Sequence, residues 1–89
     1  MKIVLNRCYG GFHAPKGFLD THPNTDDFDI RRDDIELVAY CEAHPDELQF
    51  RFTSLRVMEI TDFATDWDIV EYDGYEDLVY VVDGKLNWV

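Results

Sequence analysis

Cations are scarce in this chain of 89 residues: eight Lys and Arg stand against nineteen Asp and Glu, a formal charge of −11. So negative a protein disfavours nonspecific binding to nucleic acid or to an anionic membrane surface. Long apolar runs are missing too. Leu37–Cys41 and Leu78–Val82 are the longest, far short of the roughly 20 residues that span a bilayer. Cys8 and Cys41 are too few and too far apart for a disulfide framework or a zinc finger, so a cytosolic protein with reduced thiols is expected. Neither GxxxxGK[ST] nor GxGxxG occurs, so no phosphate-cradling or dinucleotide motif is present. The opening Met1-Lys2 runs straight into strand-like residues, unlike a secretory leader.

Turn signals and aromatic residues, by contrast, are plentiful. Asp73-Gly74 and Asp83-Gly84 each sit between β-branched and aromatic runs, the pattern of two-residue type I′ hairpin turns. Together they predict a three-stranded antiparallel meander over residues 66 to 89. Its register places Tyr72 opposite Tyr75, Glu71 opposite Glu76, Ile69 opposite Leu78 and Trp67 opposite Tyr80. The second turn sets Val82 opposite Lys85, Val81 opposite Leu86 and Val79 opposite Trp88. One face then carries Trp67, Ile69, Leu78, Tyr80 and Val82, and the other Val70, Val79, Val81, Leu86 and Trp88. Both faces are apolar, so the second needs a cover: the 13–32 loop, a second copy of the chain in a homodimer, or a partner.

Upstream, Lys2 to Cys8 reads as a strand, and the unbroken Ile3-Val4-Leu5 predicts an inner position in the sheet. Residues 13–32 have no clear period and read as a long surface loop with at most a short helical turn. Asp33 to His44 is the main helix expected, with Asp33 as cap, Glu36 completing a capping box and Pro45 beyond its end. Ile35, Leu37, Val38 and Cys41 form its apolar face. Residues 46–54 allow a short edge strand, and 55–60 a better one. The expected fold is therefore α+β: a small single domain over 1–89, with a mostly antiparallel sheet of four to five strands.

Several constellations invite a chemical reading. Cys8 could pair with a histidine as a nucleophile, although a small buried residue at a strand end is the plainer reading. Gly10-Gly11 could offer backbone N–H groups to an anion; with Arg7, Tyr9 and Phe12 they form a candidate ligand floor, to which Arg31 and Arg32 could add charge. Asp20, His22, Asp26, Asp27 and Asp29 cluster in the loop but lack calcium-loop spacing, so no metal or cofactor is expected. At the first turn Glu71, Asp73, Glu76 and Asp77 crowd beside Tyr72 and Tyr75. A hairpin tip is convex and poorly suited to catalysis, but acids with tyrosines make a good protein contact surface.

These residues also resemble a group of small proteins encoded by bacteriophages and prophages. The resemblance rests on MKIVLNRCYGGF at residues 1–12 and IVEYDGYE at 69–76, joined by RRDDIELVAYCE and LRVMEI in the same order. The chain departs from the pattern after Phe12, where His13-Ala14-Pro15-Lys16 replace a Gly-Leu-Ser run. The resemblance implies a phage accessory protein in the bacterial host cytoplasm and carries over no catalytic or ligand residues. With the charge, it implies a noncatalytic protein that binds a basic host protein, such as a nucleic-acid-binding defence effector, as an anti-CRISPR-like inhibitor or nucleic-acid mimic would. The alternative is a protein that binds or sequesters a nucleotide signal; an enzyme is the weakest of the three.

Overall fold

The computed structural model describes residues 1–27 and 29–89; Phe28, inside the expected 13–32 loop, lies outside them. In chain order the elements are β1 (Lys2–Asn6), α1 (Lys16–Thr21), α2 (Ile35–Ala43), a 3-10 turn (Pro45–Glu47), β2 (Gln49–Phe50), β3 (Thr53–Glu59), β4 (Asp66–Tyr72), β5 (Tyr75–Val82) and β6 (Lys85–Trp88). The fold is α+β, with its described strands in two antiparallel sheets, β1-β3-β2 and β4-β5-β6. These six strands exceed the four to five expected in a single sheet.

The meander has the register its turns dictate. Tyr72 pairs with Tyr75, Glu71 with Glu76, Ile69 with Leu78, Trp67 with Tyr80, Val82 with Lys85 and Val79 with Trp88. Asp73, Gly74, Asp83 and Gly84 all have φ between 51° and 89°, the left-handed pairs that a type I′ turn requires. Trp67, Ile69, Leu78 and Tyr80 then pack on Ile3, Leu5 and Ile60. The meander lies face to face on the β1-β3 pair rather than extending it edge to edge. Face-to-face packing buries an apolar side of each sheet, whereas extension would leave both uncovered.

β1 is an edge strand paired only with β3, not the inner strand its apolar run predicted. Its residues are buried on both sides for another reason. Val4 clusters with Leu37, Val38, Cys41 and Phe18 of the helical layer and Leu55 of β3, while Ile3 and Leu5 face the meander. A strand between two layers shows the same continuous hydrophobicity as a central strand.

The helical layer holds more than expected. The 13–32 segment forms α1 and places Ala14 and Phe18 in the core, so it covers the helical side and not the free face of the meander. On α2 the cap is Asp34, whose Oδ1 accepts from Leu37 N at 2.9 Å. Asp33 instead holds Arg31, so the cap lies one residue later than expected. With Leu37 at the third position the expected capping box does not form, and Glu36 pairs with His22. Ile35, placed on the apolar face by its period, is 84% exposed because it opens the first turn, ahead of the buried Leu37, Val38 and Cys41.

Candidate functional site

The segments 1–12 and 69–76, far apart in the chain, meet in space. Asn6 closes β1 and is fully buried. Its Nδ2 donates to the carbonyls of Gly74 at 2.8 Å and Cys8 at 2.7 Å, and its Oδ1 accepts from Ser54 N at 3.0 Å. Its backbone N–H donates to Glu76 Oε1 at 2.7 Å. Glu76 is 4% exposed and also receives both terminal nitrogens of Arg32, Nη2 at 2.7 Å. The Arg32 guanidinium lies 3.5 Å from the centre of the Phe12 ring, a cation–π contact. Among the described residues no buried side-chain nitrogen or oxygen lacks a hydrogen-bond partner, so this buried polar joint is satisfied throughout.

Two glycines explain how closely the blocks approach. A Cβ on Gly74 would fall 2.6 Å from the Tyr9 carbonyl oxygen and nearer still to Gly11 N. A Cβ on Gly10 would strike Phe52, whose carbonyl accepts from Gly10 N at 2.9 Å. Gly10 therefore serves backbone packing, and its N–H is already taken. Steric need accounts for it without any anion.

The acidic hairpin tip is divided up by the same contacts. Glu71 and Glu76 do face each other, but each carboxylate has its own partner. Glu76 turns inward to Arg32, and Glu71 Oε1 accepts from Gly74 N at 2.6 Å. Asp77 is bound by Arg7 Nη1 at 2.7 Å, and the same nitrogen reaches Tyr75 Oη at 3.2 Å. Tyr9 packs on Tyr75 with ring centres 5.5 Å apart. Glu71, Tyr72 and Asp73 stand exposed. Glu76 presents nothing to a partner, which corrects its place on the expected contact surface.

The expected ligand floor is also dispersed. Arg7, Arg31 and Arg32 are committed to Asp77, Asp33 and Glu76. Gly11 and Phe12 border a shallow hollow above the joint. Gly10 lines a different one, of about 780 Å³, with Lys16, Leu19, Glu47, Phe50 and Arg51. That hollow mixes both signs of charge and has no set of groups converging on one ligand chemistry. In the loop, Asp27 pairs with His13 and His22 with Glu36. Among the described residues no three acidic, histidine or cysteine side chains gather as a metal site. Burial pushes the Cys41 thiol up to about 11, away from nucleophilic use.

The outer face of the meander remains. Strand alternation puts Asp66, Asp68, Val70 and Tyr72 of β4 on it, with Tyr75, Asp77, Val79 and Val81 of β5 and Leu86 and Trp88 of β6. Tyr72 is 76% exposed, Leu86 69%, Trp88 60% and Val70 45%. Arg7 and Tyr9 extend this surface through their contacts with Tyr75. Tyr, Trp and Arg dominate the energetic centres of protein interfaces, and here all three share one surface. Sequence period found the apolar side chains; the contribution of Arg7 and Tyr9 needed the fold. No helix among the described residues is long and apolar enough to cross a membrane. No protein-family model, no curated protein and no solved structure matches this chain.

Proposed function

We propose that this chain is a noncatalytic protein-binding module whose contact surface is the outer face of β4-β5-β6 and whose partner is a basic protein. The observation that carries this reading is the exposure of Val70, Tyr72, Leu86 and Trp88 on one sheet face, bordered by the carboxylates of Asp66 and Asp68. Large exposed apolar patches rimmed by polar groups are what interaction surfaces look like. The phage-like motifs make a host protein the partner of choice, and the charge favours one with a basic groove for nucleic acid. Inhibition of a bacterial defence enzyme is the activity this reading assigns.

The test is site-specific photo-crosslinking in bacterial cytoplasm, with a benzoylphenylalanine at position 88 or, as control, at the exposed Ile35 of α2. Adducts from position 88 should map to one basic protein, disappear with Leu86→Glu and weaken as salt shortens the Debye length. Adducts formed equally from position 35, or only between copies of the chain, refute the proposal.

A further inference from the structure

We infer that the partner seats a single amphipathic α-helix, basic along one flank, lengthwise on the outer face of β4-β5-β6. This rests on the binding reading above and specifies what that face accepts. The first argument is size. Adjacent strands lie about 4.8 Å apart, so three strands span about 10 Å, the width of one helix. The eight residues of β5 run about 26 Å at about 3.3 Å each, which a helix of about 17 residues matches. β6 flanks the half from Val79 to Val82, and Arg7 and Tyr9 flank Tyr75 at the other end. A helix laid there would give the β4-β5-β6 sheet on its outer side the kind of cover that β1-β3 provides on its inner side.

Charge gives the helix its orientation. Asp66 lies in one row with Val81 and Leu86, and Asp68 in the next with Val79 and Trp88. In these two rows the face is apolar at Val79, Val81, Leu86 and Trp88 and acidic at Asp66 and Asp68 on the β4 margin. Neither aspartate forms an ion pair with a cation among the described residues, and the cation beside this face, Arg7, is held by Asp77. Leucines over Val79, Leu86 and Trp88 with lysines or arginines over Asp66 and Asp68 would satisfy both regions. A second copy of the chain could cover the apolar region but not the acidic one, since it would bring its own Asp66, Asp68 and eleven net negative charges to the same contact.

The edge argues against an added strand. In a two-residue hairpin Tyr72 and Tyr75 form the hydrogen-bonded pair, so the N–H groups of Trp67 and Ile69 point off the free edge of β4. Both are already engaged: Trp67 N donates to Asp66 Oδ1 and Ile69 N to Asp68 Oδ1, each at 2.9 Å. A docking strand would have to displace them. The opposite edge, β6, offers only four residues. The edges of the sheet are guarded while its face is open.

The deciding experiment titrates the whole protein with three synthetic 17-residue peptides, read by Trp88 emission in a Trp67→Phe background and by amide chemical shifts. One has leucines at helical spacing with lysines on one flank, one has glutamates for those lysines, and one alternates lysine and valine to favour an extended form. The lysine-flanked helix should bind saturably, with shifts on β4, β5 and β6. The glutamate peptide should bind at least tenfold more weakly, Trp88→Glu should lose at least tenfold, and Asp66→Asn with Asp68→Asn should lose several-fold. Tighter binding of the extended peptide with shifts confined to β4, or no saturable binding of the helix, overturns the inference. A crosslink from position 88 to a non-helical segment of a basic protein would remove the helix and leave the binding reading intact. Sedimentation as a dimer dispersed by Leu86→Glu would remove both.

Discussion

Replacing Arg32 by methionine keeps a long apolar stem and a sulfur able to contact Phe12, but removes the guanidinium from Glu76. The Glu76 carboxylate is 4% exposed and would be left with the Asn6 N–H as its remaining partner. Removing one member of a buried, hydrogen-bonded ion pair destabilises by about 3–5 kcal/mol, because the surviving charge is stranded away from water. In a domain of this size each kcal/mol shifts Tm by roughly 4–8 °C, so Arg32→Met should lower Tm by at least about 12 °C. Glu76→Gln keeps a carbonyl for Asn6 N and leaves a cation that is less deeply buried; its expected loss is about 1.5–3 kcal/mol. The double variant Arg32→Met/Glu76→Gln strands no charge and should be more stable than Arg32→Met alone. Urea denaturation of the four proteins yields the cycle. If Arg32→Met loses under 1 kcal/mol, or the double variant is no better than that single one, the joint does not hold the two blocks together in the way described.

The other predictions concern the turn glycines, the two sheet faces and the thiols. Gly74→Ala should destabilise by more than Gly84→Ala in thermal melts: both have positive φ and share roughly 1–3 kcal/mol of backbone strain, but only at residue 74 does the new Cβ meet backbone, so the excess over the control reports that clash. Leu86→Glu should change stability by no more than about 0.5 kcal/mol, whereas Leu78→Ala, at a fully buried position on the inner face, should cost about 2–5 kcal/mol. Similar losses for the two in urea melts would mean the outer face is not free. In native protein one thiol should react readily with Ellman's reagent and Cys41 only on unfolding. Because the folded thiol of Cys41 is raised from 9.0 to about 11, its contribution to stability is intact below about 9 and lost as pH rises through about 11. Melts across pH 8 to 11 with Cys41→Ala as reference check that sign.

The meander was legible down to individual pairs because a type I′ turn permits only one register, and Asp-Gly signals that turn locally. The position of β1 was not, because Ile3-Val4-Leu5 reports burial on two sides without reporting what does the burying. A central strand and an edge strand between two layers carry the same pattern. The number of sheets was lost for the same reason: period shows that both faces of β4-β5-β6 are apolar but not which one is covered, nor whether the cover is a sheet or a helix. The Asp34 cap lay one residue from the expected one, since two adjacent aspartates offer the same signal and the competing Arg31–Asp33 contact decides between them. At the site, a count of carboxylates near Asp73-Gly74 gave an acidic tip. Only distant residues, Arg7 and Arg32, determine which of those carboxylates are neutralised.

The same contacts account for many residues of the segments 1–12 and 69–76. Asn6, Gly10, Gly74, Glu76 and Arg32 fit the demands of a tight backbone joint, and each has a structural reason to be the residue it is. Function is then better sought where a side chain has no such reason. Trp88 and Leu86 expose their bulk to water at the end of an edge strand, where smaller polar residues would keep the same register. Arg7 links the two descriptions. It leaves the joint at the end of β1 and reaches across Tyr75 and Asp77 into the outer face, tying one margin of that surface to the buried joint of Asn6 and Glu76. On the proposed binding reading, an interface built on such a support would lose little conformational freedom on binding, so that few side chains could carry the affinity.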